Sequence, residues 1–122
     1  MTTKTVLTID DSRTMREMLN MALVQAGYRV LQAVDGVEGL EILQSEGADV
    51  VITDINMPRL GRFGVIEGLR ANPTHRGPPL LVLTTESDVA KKERARQAGA
   101  TGWIVKPFNP VKLVDAVRRV AA

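Results

Sequence analysis

Asp49-Val50-Val51-Ile52-Thr53-Asp54 and Leu80-Leu81-Val82-Leu83-Thr84 decide the fold. Their cores, Val50-Val51-Ile52 and Leu80-Leu81-Val82-Leu83, are apolar without alternation. A strand with one wet face alternates apolar and polar residues, because successive side chains point to opposite sides. A strand covered on both faces does not need to alternate, and that condition is met where helices pack on either side of a parallel sheet.

The same reading extends outward. Shorter Val/Ile/Leu-rich runs at Thr5–Ile9, Arg29–Ala33 and Gly102–Val105 join Asp49–Thr53 and Leu80–Thr84 as strands, and helical periodicity fills the gaps. In the first helical segment Met15, Met18, Leu19, Ala22 and Leu23 follow the spacing of one buried face, and Met21 is expected in or near the core. Ser12 reads as its N-cap and Gly27 as the residue that ends it. The second opens on Asp35 and Glu38 in capping-box spacing, buries Val37, Leu40 and Leu43, and stops at Gly47. The third runs from about Phe63 to Ala71, with Val65, Ile66 and Leu69 inward. The fourth, from Ser87 or Asp88 to Gly99, carries only Val89, Ala95 and Ala98 and should be the most weakly anchored. The last has Asn109 as N-cap, Pro110 at the first helical position, and an inward stripe of Leu113, Val117 and Val120. Five βα units with right-handed crossovers give a doubly wound α/β three-layer sandwich: a five-stranded parallel sheet with five helices. The expected organisation is one domain, 1–122.

Composition narrows the function classes. At 122 residues and 44% hydrophobic content the chain can build one core unaided, and without cysteine it has neither disulfides nor thiolate metal sites. No apolar run reaches the roughly 20 residues of a membrane span, and no signal peptide is evident, so a cytoplasmic protein is expected. The net charge of +2 is spread over separate groups, Lys91, Lys92, Arg94 and Arg96 in one and Arg118 and Arg119 in another. With one Trp, one Tyr and two Phe available for stacking, these read as solvated helix faces, with no nucleic acid and no membrane among the partners. His75, in a Pro/Gly-rich loop, reads as exposed and incidental.

In an open parallel sheet, ligands bind beyond the carboxyl ends of the strands. Asp10 and Asp11 follow the first strand, Asp54 the third, Thr84 and Thr85 end the fourth, and Lys106 and Pro107 follow the fifth. If the first and third strands are neighbours, three carboxylates meet with a hydroxyl and an ammonium at the rim. Like charges at that range would force a proton back onto one of them. A hard divalent cation such as Mg²⁺, bound through few carboxylates and phosphate oxygens, balances them together with Lys106. The same positive charges would let a carboxylate attack phosphorus and form an aspartyl phosphate. Taken singly, Asp54 could be a turn former, Asp10 or Asp11 a helix cap, and Trp103 a half-buried packing residue on an edge strand; the combination is what argues for chemistry.

Ile9-Asp10-Asp11-Ser12, Asp54-Ile55-Asn56-Met57-Pro58, Leu83-Thr84 and Val105-Lys106-Pro107-Phe108 resemble, in order and over the whole chain, the receiver domain of bacterial two-component response regulators. Asp11-Ser12-Arg13-Thr14-Met15-Arg16, with no output domain in the sequence, is similar to the single-domain chemotaxis (CheY-like) branch. The resemblance implies a flavodoxin-like fold with strand order 2-1-3-4-5. It implies Asp54 as phosphoacceptor, and Asp10, Asp11, Asp54 and the backbone carbonyl of Asn56 around Mg²⁺. Thr84 and Lys106 would hold phosphoryl oxygens, with Thr84 and Trp103 as the switch pair. Asn56 and Glu86 would tune dephosphorylation, and Pro107 would follow a cis peptide bond. The implied partners are a histidine kinase phosphotransfer domain (CheA-like), a flagellar motor switch protein (FliM-like) or other output protein, and a phosphatase. A monomer that catalyses only its own phosphorylation and dephosphorylation, and is not an enzyme acting on other substrates, is expected.

One segment departs from the family. Where receivers commonly read x-Met-Asp-Gly after Met-Pro, this chain has Arg59-Leu60-Gly61-Arg62. If that loop needs positive φ at Arg62, the residue costs about 1 kcal/mol more than glycine. Altered loop order or partner preference is expected there. Other function classes fit less well. A phosphatase or phosphotransferase with an aspartate nucleophile usually has a second Asp two residues on, where this chain has Asn56. A flavodoxin-like nucleotide binder needs a Gly/Ser/Thr-rich loop after the first strand, where this chain has Asp10-Asp11. Within the receiver reading, a phosphate sink or a regulator that never meets the motor is the alternative.

Overall fold

The structure is a computed structural model and describes residues 3–54, 78–85, 101–106 and 108–121. Five parallel strands, β1 (Thr5–Ile9), β2 (Arg29–Ala33), β3 (Val50–Asp54), β4 (Leu80–Thr85) and β5 (Gly102–Lys106), form one sheet in the order β2-β1-β3-β4-β5. Among the described residues three helices accompany them: α1 (Arg13–Gln25), α2 (Gly36–Glu46) and α3 (Pro110–Ala121). The helices expected over 63–71 and 87–99, the Arg59–Arg62 segment and His75 lie outside the described residues.

The unbroken apolar strands feed two cores. The pleat sends Val51, Leu80 and Val82 to one face, with Leu7, Ile9, Ala33 and Leu43 of α2. It sends Val50, Ile52, Leu81 and Leu83 to the other, with Leu19 and Leu23 of α1 and Leu113 and Val117 of α3. These side chains are nearly or fully removed from water. At roughly 2 kcal/mol for each large aliphatic side chain buried, they are the main source of stability, set against the entropy of ordering the chain.

The helix ends follow their sequence signals. Ser12 Oγ accepts from the Met15 amide at 3.2 Å, and Gly27, at φ 95°, takes the left-handed turn after the C-cap Ala26. Asp35 Oδ1 accepts from the Glu38 amide at 2.9 Å while Glu38 Oε1 accepts from the Val34 amide at 3.0 Å, so the reciprocal cap closes one residue before Asp35. Asn109 Oδ1 accepts from the amides of Val111 at 2.8 Å and Lys112 at 3.3 Å, ahead of Pro110. Lys4 Nζ donates to the Ala121 carbonyl at 2.7 Å, tying the start of the chain to the end of α3.

Several expectations are corrected. Met18 and Met21 are 46% and 65% exposed, not core. The face of α1 that meets the sheet is centred on Leu19 and Leu23, with Met15 and Ala22 at its edge, which turns Met18 and Met21 outward. Val37 is only half-buried, while Leu40 and Val120, also half-buried, do pack against the two cores as expected. Two of the closest-packed positions of α2 are Gly36 and Gly39. A Cβ on Gly39 would sit 2.4 Å from Cδ1 of Ile9, so the glycine lets α2 approach β1 just before Asp10. The third strand is Val50–Asp54, not Asp49–Thr53. Asp49 instead precedes it and accepts the Thr5 amide at 2.7 Å. Asp54 is therefore the last residue of the strand, fixed by its ladder.

Candidate functional site: an acidic pocket at the carboxyl edge of the sheet

Strand order and register assemble the site. β3 lies between β1 and β4, and Ile9 pairs with Thr53, so the next residues, Asp10 and Asp54, emerge side by side. Asp54 pairs with Leu83 of β4, and Thr85 of β4 pairs with Lys106 of β5. Lys106 must therefore reach across the end of β4 to meet Asp54, which its four-carbon stem permits. Its Nζ donates to Asp54 Oδ2 at 2.5 Å, the lysine side chain 22% exposed and that of Asp54 7%.

Asp10 is fully buried. Its amide donates to the Ala33 carbonyl at 3.1 Å, and its Oδ1 accepts from the Ser12 amide at 2.8 Å. Its Oδ2 has no hydrogen-bond partner and is the one such buried side-chain atom among the described residues. Burial pushes the Asp10 carboxyl up from 3.8 to about 6. The Ser12 hydrogen bond pulls it down, the Asp54 charge pushes it up, Lys106 pulls it down, and Asp11 pushes it up. Asp11 is exposed at the mouth of the pocket. Asp10, Asp11 and Asp54 each offer an oxygen, all within 4.8 Å of one another.

Among the described residues three carboxylates share the pocket with the Lys106 ammonium, and repulsion from Asp54 and Asp11 adds to the burial that raises Asp10. The donor set is hard oxygen throughout, one oxygen is buried and unpaired, and one carboxylate opens to solvent. These features fit a small divalent cation that keeps some of its waters.

The structure thus brings together Asp10, Asp11, Asp54 and Lys106. Thr84 is placed by its backbone in β4, opposite Val105, and its side chain lies outside the description. Asn56, Glu86 and Pro107 lie outside the described residues. Trp103, on β5, is 41% exposed and lines a groove of about 430 Å³ with Phe108, Asn109 and Lys112, away from the acidic residues. Arg16 escaped the sequence reading. Its Nη1 donates to the Asp10 carbonyl at 2.7 Å. The available signal was a basic residue in the first turn of a helix, the end the helix dipole disfavours, in a turn with no acidic residue.

Residues 6–118 match the response regulator receiver domain. The chain belongs to the response regulator receiver domain family. This receiver is 42% identical to the chemotaxis response regulator CheY4 of Vibrio cholerae, whose structure superposes with a TM-score of 0.91 over 98% of this chain and 99% of that one. It is 35% identical over 116 residues to a probable chemotaxis protein CheY of Rhizobium etli, covering 94% of this chain and 90% of that protein. It is 38% identical over 119 residues to the probable transcriptional regulator ycf27 of Guillardia theta, covering 98% of this chain. The receiver spans about half of that longer regulator, 46% of its length. CheY-like receivers are parts of two-component signalling, and the strand order inferred from the motifs is the one observed. No helix among the described residues is long and apolar enough to cross a membrane.

Proposed function

We propose that this receiver is a cytoplasmic phosphorylation switch in which Asp54 takes a phosphoryl group from a histidine kinase phosphotransfer domain of the CheA type. The observation that carries the reading is a nearly buried Asp54 held by Lys106 at 2.5 Å beside the buried, unpaired Oδ2 of Asp10. A carboxylate oxygen of Asp54 attacks phosphorus, the phosphorus–nitrogen bond of the phosphohistidine breaks, and the departing imidazole nitrogen takes a proton. An acyl phosphate on Asp54 results. Lys106, already in contact with the attacking carboxylate, would transfer its hydrogen bond to a phosphoryl oxygen. Asp10, Asp11, Asp54 and the Asn56 carbonyl would hold Mg²⁺, which supplies positive charge to offset the phosphoryl oxygens when bound. The chain serves as acceptor and not as a turnover enzyme, with Asn56 and Glu86 tuning the lifetime of the acyl phosphate, alone or with a phosphatase.

In the phosphorylated form Thr84 joins Lys106 in holding the phosphoryl group, Trp103 moves toward the space left, and the β5–α3 surface changes. That is a shift between two states, biased by contacts that only one of them makes. The output partner is a flagellar motor switch protein of the FliM type. Matches along nine-tenths of the length of proteins named for chemotaxis support this over the transcriptional regulators. Phosphotransfer profiling against a panel of phosphorylated histidine kinases, with Mg²⁺ and with EDTA, tests the first part, and binding of the phosphorylated chain to motor switch proteins tests the second. Fast, Mg²⁺-dependent transfer from one kinase with phosphorylation-enhanced motor binding is expected. Transfer without motor binding would favour a phosphate sink or another output, and no transfer would overturn the reading.

A further inference from the structure

Asp10 is held at three points. Its amide donates to Ala33 of β2 at 3.1 Å, its Oδ1 accepts from Ser12 at 2.8 Å, and its carbonyl accepts from Arg16 at 2.7 Å. The first two fix the residue to the sheet and to its own turn. The third ties it to α1, because the Arg16 amide also donates to the Ser12 carbonyl at 3.0 Å within the first helical turn. The guanidinium of half-buried Arg16 therefore closes a loop from the helix back onto the strand end, around the two residues that carry the acidic pair. What remains unsatisfied in that frame is Asp10 Oδ2 alone.

We infer that Arg16 is a positioning residue for the cation site: by clamping the Asp10 carbonyl it fixes the β1–α1 turn and aims Asp10 and Asp11 into the pocket. The inference rests on the cation reading above and extends it to a residue outside the acidic cluster. It also carries an unusual sign. As a bare charge, a cationic side chain near the pocket repels a divalent ion, so its removal should tighten binding. As a clamp, its removal loosens binding, as loss of a supporting hydrogen bond around a metal site commonly does by tenfold or more.

The test is Mg²⁺ affinity measured by titration calorimetry on the full chain. Arg16→Met, which keeps an aliphatic stem but has no donor, is expected to weaken Mg²⁺ binding about tenfold. Arg16→Lys, which keeps a donor, should recover most of the loss. Arg13→Met serves as the charge control, since Arg13 pairs with exposed Glu17 at 3.0 Å and loses the same charge. It should leave affinity unchanged or slightly tighter. If Arg16→Met does not fold in EDTA, Arg16→Gln, too short to span to the carbonyl, replaces it with the same expected loss. Equal or tighter binding in Arg16→Met and Arg16→Gln would overturn the clamp while leaving the cation reading intact. Failure of the unaltered chain to bind Mg²⁺ would instead overturn that reading, and the clamp with it.

Discussion

Replacing Asp10 with asparagine should make the metal-free protein more stable, although it removes a residue of the functional pocket. The unfolded chain holds this carboxyl at its ordinary 3.8, and the folded chain raises it to about 6. A group whose folded value lies above its unfolded one costs nothing while protonated in both states. Its cost appears as pH rises above 3.8 and is complete above 6. A rise from 3.8 to about 6 corresponds to roughly 3 kcal/mol. Asparagine keeps an oxygen to accept the Ser12 amide and carries no charge to strand. In EDTA at pH 8, Asp10→Asn should gain about 2 to 3 kcal/mol in urea unfolding, or about 10 °C in Tm for a domain of this size. The gap should shrink as pH falls through 6 and be nearly gone at 3.8. Mg²⁺ should narrow the gap, because an ion at a hundred times its Kd adds about 2.7 kcal/mol to a protein that binds it and less to one that has lost a ligand. A variant no more stable than the parent at pH 8, or a gap that stays constant on acidification, would refute the argument that burial makes Asp10 costly.

Removing Lys106 should act in the opposite direction. Lys106→Met leaves Asp54 nearly buried beside Asp10 without its ammonium, and a loss of about 2 to 3 kcal/mol in EDTA is expected by urea unfolding, largely relieved when Asp54→Asn is added. Gly39→Ala should gain up to about 1 kcal/mol of helix propensity yet lose more, for a net cost of about 1 to 2 kcal/mol by thermal unfolding, because its Cβ collides with fully buried Ile9.

The fold was largely legible because its signals are local and agree. Unalternated strands, the Ser12, Asp35 and Asn109 caps, and Gly27 and Gly47 all sit where the structure uses them. The strand order came from the resemblance and not from periodicity, since apolar runs do not encode which strands are neighbours. What the sequence misplaced depends on tertiary rotation. A helical stripe wide enough to include both Met18 and Leu19 does not say which edge meets the sheet, and here the methionines turn out. The acidic pocket was legible as residues at strand ends, but its energetics were not. The unpaired Oδ2 of Asp10 and the Arg16 clamp arise from how a turn closes in three dimensions.

The proposed switch requires Asp54 to supply the carboxylate oxygen of an acyl phosphate. Incubation with acetyl phosphate, followed by intact-mass and peptide mass spectrometry, addresses it without any partner protein. One phosphoryl group per chain on the Asp54 peptide, absent in EDTA and absent in Asp54→Asn, is predicted. A label that persists in that variant, or forms equally well without a divalent ion, would contradict it.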